Sequence, residues 1–480
     1  MTMYLKSKEG STSGPRHIDC HYLAEPLLVF ADNGMHIDPK SGIARYGPRS
    51  FSPVHLHPAT VRVGFIGTAD TIEKSHHWLE ASSSGVRGDA KHPEFPGYQA
   101  DRGFFSTLEF DDTWIEQVTQ SEMARLLSTR SSRDRFENML AMFDNKLRLL
   151  SEKDQPPQYV IIGLPSEVVH RCGVVDYHDK SLGMVHRDLR RAIKAAAMKH
   201  RIPTQLLQQP TMEGKDPDHP SKIAWNFFTG LYFKAGGNPW GPVGLVPGTC
   251  YVGISFYKPL GSKFPTIQTS LVQAFDEHGE GLVLRGHDFE WDEKKEGSRS
   301  PHLTESQAED LIQMVLSRYQ QEMKQIPRRV VVHKTSQYWP KEKEGFRAAL
   351  SDRVVQFDLL SLSRQSTVRL ITTSKYPPLR GTRFSVGDLD FLYTTGFLAE
   401  LSEFHGMHVP SPLCISDHIG QDTSRELLLK EILILTKMNW NSARLGGLLP
   451  ITIKFSELVG TILREIPPDR DPLPQFKFYI

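Results

Sequence analysis

Leu435-Thr-Lys-Met-Asn-Trp-Asn441, then Gly446-Gly-Leu-Leu-Pro-Ile-Thr-Ile453, then the closing Phe476-Lys-Phe-Tyr-Ile480 are the segments from which the fold of this chain is read. Chain ends fray unless something ties them down. An end built of two Phe, a Tyr and an Ile is expected to pack into the body. Packing it would carry the carboxylate of Ile480 inside, where a lone charge is costly unless it meets a cation or a metal. The question passed to the rest of the sequence is where those cations lie.

Working outward, composition sets the frame. The chain has 480 residues, net charge +1, 39% hydrophobic and 24% charged residues. That is ordinary globular usage and room for at least two domains. No apolar run approaches the ~18 residues of a membrane helix. The N-terminal Met1-Thr-Met-Tyr-Leu-Lys6 has no signal-peptide core, and a cytoplasmic location is expected. The four cysteines (Cys20, Cys172, Cys250, Cys414) form no CxxC pair, which argues against structural zinc and a disulfide framework. The near-zero net charge means that any nucleic-acid binding must come from a local basic groove. His17 and His21 have the spacing of a metal pair only if helical, and no helical apolar pattern surrounds them.

Residues 1–55 read as a lead-in of short strands and turns, with a strand over 26–30 and the turn-rich Asp38-Pro-Lys-Ser-Gly42. From there strands and helices alternate: strands over 61–66, 106–110 and 159–164, helices over 71–81 and 135–150. This alternation predicts a parallel sheet covered by helices. Gly236-Gly-Asn-Pro-Trp-Gly-Pro242 is a break dense in turn formers, giving units over 56–238 and 239–480. The second unit shows apolar strands over 249–256 and 329–333, a charged loop over 288–299 and a helix over 308–319. A capping box at Thr423-Ser-Arg-Glu426 opens another helix. A last helix over 458–466 is stopped by Pro467-Pro468. The fold class is α/β.

The cations lie on Arg187-Asp-Leu-Arg-Arg-Ala-Ile-Lys194. Helical spacing puts Arg187, Arg190 and Lys194 on one face, with Leu189, Ile193 and Ala196 opposite. Such a row is either a solvated face or an anion site. The segments that follow favour the anion site: Gln205 enters a strand after Arg201-Ile-Pro, and Lys234 ends a helix over 223–234 that also carries Asn226.

These features together resemble short prokaryotic Argonautes, which consist of MID and PIWI domains without PAZ. The motifs are Arg190-x3-Lys194 with Ile-Pro-Thr-Gln205 and Lys234; Thr249-Cys-Tyr-Val-Gly-Ile-Ser255; and the C-terminal segments quoted first. The resemblance implies a Rossmann-like MID domain (56–238) followed by an RNase H-like PIWI domain (239–480). It implies a pocket for the 5′-phosphate of a short guide, probed by Arg190, Lys194, Gln205, Asn226, Lys234 and the carboxylate of Ile480. Arg190 stands where many relatives have Tyr, exchanging a stacking ring for a planar cationic donor. A magnesium ion bridging guide phosphates is implied at Gln205 and Ile480, oxygen ligands of the kind a hard cation takes. Lys437, Asn441 and Arg444 fall where relatives touch the guide backbone, and Lys334 is placed to reach a guide or target phosphate.

Slicing PIWI domains need carboxylates around two metal ions. Here the first catalytic position is Ser255, and the one after the strand 329–333 is Thr335. A hydroxyl does not replace that charge, so target cleavage is not expected. The resemblance then implies a guide RNA and a single-stranded DNA target of plasmid or phage. It also implies a partner bearing an Argonaute-associated region that consumes NAD, sirtuin-like by preference or else Toll/interleukin-receptor-like. Two alternatives stay open: a nuclease using acids such as Glu290 and Asp292, and an α/β protein holding a mononucleotide in the basic pocket.

Overall fold

The computed structural model describes residues 3–5, 16–180, 183–260, 266–275, 281–298, 300–364, 366–373, 375–402, 404, 409–420, 423–466, 470 and 472–480. In the first unit, Thr60–Gly67 runs parallel to Ile115–Gln117 on one side and to Tyr159–Leu164 on the other, and Thr204–Gln208 follows Tyr159–Leu164. Thr107–Glu109 pairs with the start of Thr60–Gly67. Val61, Val63, Phe65, Tyr159 and Ile161 enter one core, while Ile66, Val160, Ile162 and Leu164 enter another. Strands covered on both faces lose polar alternation, which is why they read as continuous apolar runs. The helices Ala69–Ser83 and Ser132–Ser151 match their expected positions.

The second unit is a nine-stranded sheet in the order Gly281–Glu290, Thr266–Phe275, Thr249–Tyr257, Arg329–Lys334, Gln356–Ser363, Leu413–Gly420, Leu389–Leu392, Thr382–Val386, Cys20–Tyr22. Its first three strands are antiparallel and the next two join in parallel, the RNase H-like arrangement expected. The helix Ile451–Leu463 lies against Thr249–Tyr257, and Gly253 allows this: a Cβ there would fall 2.1 Å from the Thr452 carbonyl oxygen.

Four sequence expectations are corrected. The segment after Asp38 is a helix, Pro39–Tyr46, because Asp38 accepts from Ser41 N–H as its N-cap and Pro39 opens the first turn. The charged stretch from 288 is not all loop: the strand continues to Glu290 because Thr266 pairs with it. The last helix starts earlier, at Ile451, and ends at Leu463. Thr423 is not a cap; Ser424 caps the helix Arg425–Leu435, while the Thr423 hydroxyl donates to Asp358. The stop at Pro467-Pro468 lies outside the described residues. His21 sits in a strand, so the helical His17–His21 metal spacing does not arise.

The lead-in is woven into the C-terminal sheet. Cys20–Tyr22 is its ninth strand, and Leu28–Val29 pairs with Gly241–Pro242. Glu25, 7% exposed, holds Arg380 and Lys437 at 2.8 Å each. One continuous core joins both units across the seam, including Trp225, Phe228, Leu231, Trp440, Ile451 and the terminal Phe476, Phe478, Tyr479 and Ile480.

Candidate functional site

The tail is packed as its sequence foretold. Phe476 stacks on Phe455 at 3.8 Å, the Tyr479 hydroxyl donates to the Leu473 carbonyl at 2.8 Å, and Ile480 is 1% exposed. This brings the Ile480 main-chain oxygen to the helix Leu189–Lys199, where the buried Lys194 ammonium donates to it. Asp188 is that helix's N-cap, accepting from Arg191 N–H at 3.1 Å. Arg187 therefore precedes the helix and leaves the expected cationic face. It is buried between Glu137 and Glu465, over the Phe136 ring.

From the neighbouring helix Pro220–Lys234, the buried Lys234 ammonium donates to the Gln205 side-chain oxygen at 2.7 Å and the Thr204 carbonyl at 3.2 Å. It also lies 5.7 Å from the Tyr159 ring centroid. Burial lowers the Lys234 pKa well below the ordinary lysine value, and Lys194 and Arg190 lower it further. Burial and Arg190 push Lys194 down to about 7, while the Ile480 oxygen it touches works in the opposite sense, favouring the ammonium. Arg190 is exposed at the surface but is lowered by desolvation, with Asp188 opposing. Arg190 acts on both lysines and Lys194 acts on Lys234, so the three share one neighbourhood. These shifts all run against the charged forms. Bringing an anion into the pocket would reverse that cost.

Sequence reasoning placed Asn226 in this pocket, and the structure moves it. Eight residues before Lys234, it lies roughly 12 Å along the helix. Its side-chain oxygen accepts from Ala443 N–H at 3.1 Å, tying the first unit to the segment before Arg444. Asn226, Arg444, Lys91 and Lys222 line a neighbouring cavity of about 680 Å³ whose apolar wall includes Leu398 and Leu445. Arg444 is exposed, as is Lys454, and adds to the lowering that desolvation imposes on Lys454. Lys454 was missed in the sequence, where it reads as one lysine in an apolar run. Asn441 is half-buried, its side-chain oxygen facing Gly230 across the seam.

Two lysines expected at phosphates are committed elsewhere. Lys437 donates to Glu25, to the Pro26 carbonyl and to the Ile37 carbonyl, which uses all three of its protons. Lys334 is buried against Glu342, with His302 Nδ1 at 3.3 Å from its ammonium. Both are structural ion pairs.

The magnesium expectation fails a test of fit. Each oxygen assigned to it, on Gln205 and on Ile480, already accepts a lysine ammonium.

In the second sheet, Ile254 pairs with Lys334, so Ser255 and Thr335 sit at the next register position. One residue earlier, Gly253 faces His333, whose ring bonds the Thr452 hydroxyl at 2.8 Å. Burial pushes His333 down to about 3, so it is neutral. Glu290 ends a strand two places away in the sheet, roughly 10 Å off at usual strand spacing. Asp292 caps the short helix Glu293–Glu296 by accepting from Lys294 N–H. Among the described residues, the one trio of His, Cys, Asp or Glu close enough to share a metal is Asp89, His92 and His219, in the first unit. Asp89 is already held by two backbone N–H groups and His92. The rings of His92 and His219 stack in parallel at 4.4 Å, with His92 Nδ1 at 2.9 Å and His219 Nε2 at 3.6 Å from the Asp89 carboxylate.

No family model and no curated protein matches this sequence. Solved structures do match in fold. Clostridium butyricum Argonaute bound to a guide DNA with a 5′ deoxycytidine and a 19-mer target DNA aligns with TM-score 0.68 and 16% identity, over 96% of this chain and 55% of that one. A. aeolicus Argonaute gives 0.60 and 15%, over 96% and 55%. Drosophila Piwi gives 0.57 and 13%, over 97% and 57%. The chain thus spans little more than half the length of these proteins, and its α/β architecture is that of Argonaute MID and PIWI domains.

Proposed function

We propose that this chain is a guide-directed nucleic-acid sensor. A short 5′-phosphorylated guide, RNA by preference, is anchored where Arg190, Lys194 and Lys234 converge beside Gln205 and Ile480. That convergence of two buried lysines with Arg190 is the observation that carries the reading. A terminal phosphate brings up to two negative charges and several acceptor oxygens. The guide's backbone would continue along the seam past Asn441, Arg444 and Lys454. The bases, left free, would pair with a complementary single-stranded DNA of plasmid or phage. The fold shared with an Argonaute solved on guide and target DNA supports this route.

Ser255 and Thr335 supply hydroxyls where two-metal cleavage needs carboxylates. In this reading the duplex is a signal, and the output belongs to a partner: a protein with an Argonaute-associated region whose NAD-consuming domain, sirtuin-like or else Toll/interleukin-receptor-like, is switched on in a cytoplasmic defence complex. NAD depletion would then stop the invaded cell.

The test is recovery of nucleic acid from the protein purified out of cells. Short strands that accept a labelled phosphate only after phosphatase treatment are expected. Absence of any bound strand refutes the sensor. The nuclease alternative predicts magnesium-dependent cutting of a complementary target by the chain alone.

A further inference from the structure

Resting on that guide-pocket reading, we infer that the 5′-phosphate is held by the chain's own cations directly, with no divalent metal ion between phosphate and protein. A magnesium ion demands oxygen ligands at about 2.0–2.1 Å in near-octahedral order. Each of the two oxygens the fold would offer already faces a buried ammonium. Gln205 Oε1 accepts Lys234 Nζ at 2.7 Å, and the Ile480 oxygen accepts Lys194 Nζ. An ion bonded to either oxygen would sit against an ammonium, buried, with like charges facing each other.

The rest of the pocket supplies no compensation. The charged groups that act on Lys194 and Lys234 are cations, Arg190 among them. Gly230, one turn before Lys234 on the same helix face, has no side-chain oxygen. The oxygen facing it is a neutral amide, that of Asn441. On the ligand's side, a phosphate with up to two negative charges joins the Ile480 carboxylate against three cations, so neutrality needs no metal. Lysine is a point charge that follows a phosphate oxygen, and arginine adds a planar fork. In this chain the ammonium groups do the bridging.

The experiment uses the full chain, freed of nucleic acid, and one RNA strand with either a 5′-phosphate or a 5′-hydroxyl. Affinities are measured in magnesium and in EDTA at matched ionic strength. The phosphorylated strand should bind about tenfold tighter or better in both buffers, with the ratio changing by less than about twofold. A ratio that collapses in EDTA and returns with magnesium overturns this inference while the guide reading stands. A ratio of one in both buffers overturns both. Elemental analysis of the gel-filtered complex, loaded in manganese, is the second readout: a substoichiometric trace is expected, and one ion per complex overturns the proposal.

Discussion

The two halves of the molecule bury cations in opposite ways. In the C-terminal half four buried cations have an acid: Lys437 and Arg380 share Glu25, Lys334 has Glu342, and Arg329 lies between Asp358 and Glu431. In the N-terminal half Lys234 donates only to the neutral oxygens of Thr204 and Gln205 and Lys194 to the terminal Ile480 oxygen, and among the described residues neither pairs with an Asp or Glu side chain. A buried charge with its counter-ion inside is architecture. One without it is a standing cost that only a ligand removes.

The strongest way to break this contrast is Glu25→Ala. It strands two buried cations at once and should destabilise the chain by about 3–5 kcal/mol in denaturant titration. A loss below ~1 kcal/mol would show that the pairs are not structural. Next is Lys234→Met, where the sign should differ between the two measurements. Removing an uncompensated buried cation at similar volume should leave stability unchanged or raised. The same substitution should cost about 1.5–3 kcal/mol in binding a 5′-phosphorylated strand, and much less for a 5′-hydroxyl strand. Equal losses for both strands would reject the pocket.

Acid sharpens the comparison further. Burial raises the carboxyl pKa of Glu25, Glu342 and Asp358, but their cations and hydrogen bonds outweigh it and all three end below ordinary values. Their contribution is complete above about pH 5 and is lost as pH falls through ~4 toward the lower folded values, by up to ~1.4 kcal/mol per pH unit per group. Melting temperature followed from pH 7 to pH 3 should drop in that window; a flat profile would count against the pairs. The smallest effect expected is for Glu290→Gln. An exposed acid at a strand end should change stability by less than ~0.5 kcal/mol and leave target binding unaltered. A larger effect would reopen a catalytic role for that acid.

How much of this was legible beforehand follows from distance along the chain. Strands such as Tyr159–Leu164 carry their burial in six successive apolar or small residues, and Lys194, Gln205 and Lys234 fall within one contiguous region. Local signals suffice there. Lys437 looked like a helix-end lysine because its partner Glu25 is 412 residues away, and no window of sequence holds both. The same holds for Arg329 and Glu431, 102 residues apart. The helix Pro39–Tyr46 was misread for a different reason: Asp-Pro and Gly are turn signals and helix-start signals alike, and only the Asp38 hydrogen bond decides.

The ninth strand has a consequence for how the molecule is made. Cys20–Tyr22 leaves the ribosome some hundreds of residues before its hydrogen-bonding neighbour Thr382–Val386 is translated. The sheet edge must therefore stay open until those residues are made, with Glu25 awaiting both Arg380 and Lys437. Such long-range closure slows folding and prolongs exposure of an unpaired strand. Expression at lowered temperature, or with a holding chaperone, should raise the yield of assembled protein.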